Sequence, residues 1–309
     1  MSIALPEGDG IAAKYPGDRD IEQDPAVVFA DDFETTETGI MPAGFRKNHE
    51  KKWDNSGGPC RITDQPDNVH SGRKALELTL VRGDLHTPVG AGVQKHFEDG
   101  FDTLFLRYYA MFGRDTEVYH GGAHNGGNID ARAPGMPQAC PGVRADGSNK
   151  YTVVLDSWRT RDEVPSPGNL VTYVYHMDQG GRWGDQFFPS GRAFPPGREL
   201  FGDQFVSRPD FIPERGRWYC YELMVHANTP GQRDGRIGVW VDGRLCADFP
   251  NLRFRNVPTL KSNCIGLGMY THNPRVQKPI TMCFDDVVAA TSYIGPLRRG
   301  RLPNIRPRP

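Results

Sequence analysis

"GRWYCYELMVHANTPGQRDGRIGVWVDGRLCADF", residues 216–249, decides how this chain reads. "WYCYELMVHAN" is rich in Tyr, Met and Val, and "RIGVWVDGRL" repeats the pattern after the turn cluster "TPGQRDG". Such runs, bounded by Gly, Pro, Asp and Asn, are strand signals. Outward from this stretch the same signals recur in "AVVFADDFE", "KALELTLV", "TLFLRYYAMF", "KYTVVLDSW", "NLVTYVYHM", "CIGLGMYT" and "ITMCFDDVVAAT". No segment carries a long capped amphipathic pattern of the helical kind. Evenly spaced short strands without a repeat period predict an all-β fold, a sandwich of two antiparallel sheets.

The chain has 309 residues, ample for a hydrophobic core. The reading is a polar lead-in over 1–27, docked or mobile, one β domain over 28–296, and a basic, proline-rich tail over 297–309. Lys+Arg 37 against Asp+Glu 38 does not suggest a nucleic-acid partner. No apolar run reaches the roughly 18 residues of a membrane span. The start "MSIALPEGDG" lacks the basic and apolar regions of a signal peptide, as a secreted protein without its leader also does. Six cysteines (Cys60, Cys140, Cys220, Cys246, Cys264 and Cys283) suit an oxidising compartment and allow fifteen pairings; no CxxC suggests a zinc ribbon. Cys220, Cys264 and Cys283 lie in strand runs, where a buried free thiol is the alternative.

Stretches around 123–150 and 178–210 read as long loops, which on a β scaffold are disproportionately functional. The first opens in "EVYHGGAHNGGNID", residues 117–130, with two histidines and four glycines inside 120–127. Glycine marks a turn or a close approach to the backbone, and histidine titrates near neutrality. Residues two apart on a strand share a face, so Ser157 pairs with Arg159, and Tyr173 with Tyr175. An unpaired Arg159 is too costly for a core, so the expected location of that face is an open concave sheet.

The 216–249 stretch with "MCFDDVVAATSYIGP", "ADDFE" and "HSGRKALEL" resembles concanavalin-like jelly-roll proteins acting on polysaccharides. It looks nearest to polysaccharide lyases of the alginate-lyase and glucuronan-lyase type, and to a related fungal secreted protein made alongside cellulases. The resemblance covers roughly residues 28–296 and implies a β-jelly-roll sandwich and β-elimination on a uronate polysaccharide. In the alginate-lyase type a basic residue precedes a Gly-rich turn, followed by Ser-x-Arg and Tyr-x-Tyr on strands. Here these become His120 in "HGGAHNGG", where that family often has lysine, then Ser157 and Arg159, then Tyr173 and Tyr175.

Elimination needs a group to neutralise the uronate carboxylate, a base for the C5 proton and an acid for the leaving oxygen. Arg159 suits the first, with Asn125 adding a hydrogen bond. His120 or His124 suits the base, Tyr175 the acid, and Ser157 and Tyr173 contact the sugar. His120 and His124 could also serve a transition metal, with His176 or His226 as further ligands, although the glycines between them exclude a confident helix. The resemblance implies a calcium ion pinning the termini, with Glu34 of "DDFE" and Asp286 of "FDDV" as ligands. The expected partner is an anionic polysaccharide, met by a monomer that is secreted or periplasmic. A non-catalytic carbohydrate-binding protein is the main alternative. A glycoside hydrolase is the other, but no alternating carboxylate triplet is present.

Overall fold

The two runs read at 216–249 become three successive antiparallel neighbours in a computed structural model of the protein, because "RIGVWVDGRL" turns back on itself at Asp242–Gly243. It describes residues 4–47, 60–81, 89–121, 123–136, 142–276 and 278–298. Among these, strands β1–β8 are Val27–Asp31, Arg46–Lys47, Cys60–Thr63, Ala75–Leu80, Val89–Phe101, Thr103–Phe112, Ala123–Arg132 and Lys150–Trp158. Strands β9–β16 are Asn169–Tyr175, Asp185–Phe187, Ala193–Phe194, Tyr219–His226, Gly235–Val241, Arg244–Leu252, Ser262–Thr271 and Ile280–Ala290.

Two antiparallel sheets face each other as a β-sandwich of jelly-roll type. One runs β14-β13-β12-β6-β16-β4-β3, with β1 beside the far end of β16; the other runs β11-β10-β9-β8-β7-β15-β5-β2. Strand alternation sets the core. On β8, Tyr151, Val153 and Leu155 point inward, and on β6 so do Leu104, Leu106 and Tyr108. β16 is buried along almost its whole length because both of its faces are covered. Phe284, Val287 and Ala289 enter the main core. Val288 and Ala290 instead pack with Ile11, Ile21, Trp240 and Tyr293 in a second cluster. Residues from the lead-in therefore cover the outer face of that sheet, where Trp240 Nε1 donates to the Pro6 carbonyl at 2.7 Å.

The described residues hold only short 3-10 turns as helix, and none is long and apolar enough to cross a membrane. Four cysteines (Cys220, Cys246, Cys264 and Cys283) are free thiols, so the disulfide expectation does not hold for them. Cys140 and residues 299–309 of the tail lie outside the described residues. Residues 123–132, read as loop, are strand β7, and β5 was not anticipated at all. Glycine hid both. It is depleted in strands on average, yet here close packing demands it.

At Gly127 the reason is visible. The Tyr108 ring crosses the core from the opposite sheet, and its hydroxyl accepts the Gly127 N–H at 2.9 Å. A Cβ at Gly127 would lie 2.4 Å from Tyr108 Cε1. Tyr108→Phe should leave that buried N–H unpaired and cost about 1–3 kcal/mol. Gly127→Ala should overpack the same contact for about 1–3 kcal/mol. Urea denaturation of both variants checks this, and wild-type stability in either would show that the sheets are not registered there.

Candidate active site

The outward face of the β8-containing sheet is concave and holds a cavity of about 820 Å³. Register decides which side chains reach it. Asn128 lies opposite Val154, Val154 opposite Tyr173, and His124 opposite Tyr270. Paired residues share a face, so His124, Thr152, Val154, Trp158, Tyr173, Tyr175 and Tyr270 all line the groove.

His124 is the centre of this face. Its Nδ1 lies 2.7 Å from Asp156 Oδ2, and its ring sits 4.8 Å from the Tyr173 ring and 6.0 Å from the Tyr270 ring. Asp156 is buried, and its other oxygen accepts the Asn125 N–H at 2.5 Å. A carboxylate accepting at Nδ1 fixes the proton there and leaves Nε2 as the basic nitrogen. Burial pulls the imidazole's pKa down, but the Asp156 charge and hydrogen bond outweigh it, and the net shift is upward. Burial and then the neighbouring Tyr175 hold the Tyr173 phenol well above the ordinary tyrosine value. Tyr173 accepts the Gly184 N–H at 3.1 Å and donates to Tyr175 at 3.1 Å. Tyr175 is buried behind it, with the Lys150 ammonium 3.6 Å from its ring centroid.

The other expected residues lie elsewhere. Arg159 shares a face with Ser157, but that face continues the core side of β8, and Arg159 does not line the groove. It is buried, and its guanidinium donates to Val164 O at 2.7 Å, Glu117 Oε1 at 2.6 Å, Val118 O at 2.8 Å and Asp162 O at 2.5 Å. Those bonds tie down the loops at one end of the sheet and use the donors a uronate would need. The Asn125 amide exchanges bonds with the Ser157 backbone at 2.9 and 3.0 Å, so both residues face inward. His120 sits outside the cavity lining, half-exposed, 3.1 Å from Asp162, which Arg275 also holds at 2.8 Å. His120 and His124 thus serve different carboxylates and share no ligand position. His176 pairs with Asp185 at 2.9 Å, and His226 with Thr103 at 2.7 Å.

Residues not anticipated complete the groove: Asn128, Asp130, Arg132, Trp183 and Arg198 line it, and buried Asp156 backs His124. One signal was available for Asp156. Tyr151, Val153 and Leu155 are apolar in phase with Ser157 and Arg159, so the even-numbered face of β8 had to be the open one.

Glu34 and Asp286 do not fit a calcium cage. Glu34 Oε1 accepts the backbone N–H groups of Arg73 at 2.6 Å and Lys74 at 2.8 Å. The Lys74 ammonium donates to the Glu34 and Thr36 carbonyls at 2.9 and 2.8 Å, so the chain's own cation fills that carbonyl site. Asp286 belongs to a cluster with Asp285 and His70 whose ligand atoms lie within 4.8 Å of one another. All four carboxylate oxygens there already accept or face a donor. Asp286 meets the His70 ring at 2.7 Å and Ser71 Oγ at 2.8 Å. Asp285 takes the His70, Ser71 and Asp286 N–H groups at 3.0, 3.1 and 2.9 Å. Burial, then the Asp286 charge, pushes Asp285 well above the usual carboxylate range. Calcium prefers six to eight hard oxygens, and these acids instead clamp the "HSGRK" turn.

No protein-family model matches the chain, and no curated protein matches it in sequence. Among solved structures, it is similar to a variant of alginate lyase Aly36B in complex with alginate trisaccharide. Identity is 17%, the TM-score 0.55, and the match covers 90% of this chain and 99% of that one. The endo-β-1,4-glucuronan lyase of Trichoderma reesei matches at 14% identity and TM-score 0.51, over 86% and 96% of the two chains. The cellulose-induced protein Cip1 matches at 14% identity and TM-score 0.53, over 87% and 99%. At such identities the likeness establishes the shared fold, the jelly-roll sandwich that the sequence resemblance implied.

Two outcomes test the site. Asp156→Asn removes what raises the His124 pKa and leaves the burial that lowers it. If His124 acts as a base, wild-type activity should rise with pH through a value above 6.5, and that limb should move to lower pH in the variant. A limb at the same pH in both proteins would take His124 out of the reaction. For the turn, chelation with EDTA should leave the melting temperature unchanged. Lys74→Met should destabilise by about 1–3 kcal/mol, having lost two charged hydrogen bonds. A fall in melting temperature on chelation would restore the metal.

Proposed function

We propose that the protein is a polysaccharide lyase that cuts a uronate-containing chain by β-elimination. The observation carrying this reading is the His124–Asp156 pair opening onto a long groove beside Tyr173. His124 Nε2 takes the C5 proton of the uronate, and the C5–H electrons form the C4–C5 double bond. The C4–O glycosidic bond breaks, and Tyr173 protonates the departing oxygen, with Tyr175 hydrogen-bonded behind it. A phenol held above its ordinary pKa is protonated at neutral pH, which suits an acid and not a base. The structural neighbours named alginate lyase and glucuronan lyase share the fold and support the reaction class.

The groove carboxylates favour elimination over glycoside hydrolysis. Asp156 is committed to His124, Asp130 to Arg132 and Asp185 to His176, which leaves no free acid pair in the groove among the described residues. A binding-only protein is the second reading, and half-exposed Trp183 and Phe194 at the groove rim favour it. We place the protein's work outside the cytoplasm, as a secreted or periplasmic monomer, where polymeric glycans are met. Fractionation of the source cells and size-exclusion chromatography with light scattering test that placement.

Incubation with acidic polysaccharides, read by the ultraviolet absorbance of the unsaturated uronate product, tests the reaction. His124→Ala should lower the rate by about 10²- to 10⁴-fold with folding intact, and Tyr173→Phe by a similar factor. Tyr175→Phe should cost less. Retention of polysaccharide without any product would leave the binding reading standing alone.

A further inference from the structure

The charge balance along the groove points to the kind of polymer it accepts. Four ionisable side chains of its lining are paired within the protein: His124 with Asp156 at 2.7 Å, Asp130 and Arg132 with each other at 2.5 Å, and Asp185 with His176 at 2.9 Å. Arg198 differs. It lines the same cavity and meets no carboxylate among the described residues. Its guanidinium lies directly over Gly180, where a Cβ would collide with it, so the glycine is what lets it lie there. A guanidinium grips a carboxylate in a planar, bidentate way.

Away from Arg198 the described wall offers no second unpaired cation. Asp130 lies six positions along β7 from His124, roughly 20 Å away in an extended strand. Its charge is already matched by Arg132, and Gln186, which also lines the cavity, is uncharged. A second sugar carboxylate would therefore find no partner on this stretch, whereas an uncharged sugar needs none. Trp183 and Phe194, exposed by 53% and 50%, offer bare ring faces to uncharged sugar C–H surfaces.

We propose that the groove takes an acidic heteropolysaccharide, with one uronate gripped by Arg198 and flanked by uncharged sugars, in preference to a homopolyuronate. This rests on the lyase reading and narrows it. Arg198 is then the residue that neutralises the reacting uronate, the role sequence reasoning assigned to Arg159. The wall around the Asp130–Arg132 pair, several sugar units along from His124, leaves no spare cation for a further carboxylate.

The test compares deacylated gellan and hyaluronan, in which glucuronate is flanked by uncharged sugars, with alginate and glucuronan. The wild-type initial rate should be at least about tenfold higher on one of the first two, the discrimination expected of a polar pocket. Arg198→Gln should lower that rate roughly tenfold to a hundredfold. Asp130→Asn, with folding checked by circular dichroism, should narrow the preference by releasing Arg132 toward a second carboxylate. Equal or faster cleavage of the homopolyuronates by the wild type overturns the proposal. If no polymer yields product, the lyase reading fails on its own, and retention of the same four polymers in affinity electrophoresis makes the comparison instead. Stronger retention by gellan or hyaluronan, lost in Arg198→Gln, sustains the charge argument. Equal retention, stronger retention by the homopolyuronates or none at all overturns it.

Discussion

The hydrogen bond from the Gly127 N–H to the Tyr108 hydroxyl links the two sheets and fixes the phase of β7. A strand side chain alternates strictly between faces, so one fixed residue determines all the others. With Gly127 facing the core, His124, Asn128 and Asp130 must face the groove. Hydrogen-bonded register then carries that phase to the neighbours, placing Val154 and Tyr173 on one side and Tyr270 on the other. A slip of one residue would bury His124 and expose Ile129, so the site and the core are specified by the same contact.

Buried polar groups in this chain hold loops as often as they line the groove. Arg159 is an expensive residue to bury, and four oxygens surround its guanidinium to offset that cost. The Asn125 amide closes on the Ser157 backbone, and the acids at 34, 285 and 286 close on the 70–74 turn. Each of these groups has the chemistry of a catalyst or a metal ligand. What separates the two uses is whether the lone pairs and protons are already consumed within the protein. His124 and Arg198 are distinguished in this way: the first keeps Nε2, the second its guanidinium.

The strands were legible wherever apolar alternation was strong, as at Tyr151–Leu155 and Tyr219–Val225, because burial on one face writes a two-residue period into the sequence. β5 and β7 were not, since glycine and polar residues replace that period on a face that must stay open. The pairing of Ser157 with Arg159 on one face was read correctly, but the choice between the two faces of β8 was not. The wrong choice promoted Arg159 and concealed Asp156, which directly precedes Ser157 and bonds both His124 and Asn125. Tyr173 and Tyr175 were placed on the groove side by the same periodicity. Arg198 was beyond reach, because nothing in a loop sequence says that its guanidinium will fold back over a glycine 18 positions earlier.

The glycine-rich run around the histidines now has a physical account. Gly126 lies opposite Gly268, and Gly268 opposite Gly92, so three neighbouring strands present a row without side chains. Gly126 also adopts φ 115°, where any Cβ would be strained and would meet the Leu155 carbonyl at 2.2 Å. Each glycine inside a strand costs about 0.5–1 kcal/mol in backbone freedom. The return is a flat floor of backbone beside His124 and Tyr270, on which a sugar ring can lie close enough for an imidazole at the edge to reach its C–H. At Gly126 the backbone itself demands glycine, whatever the groove holds. Under the proposed lyase reading, chemistry at a ring carbon needs a close approach to the floor, and the row lies beside His124 rather than at the aromatic rim.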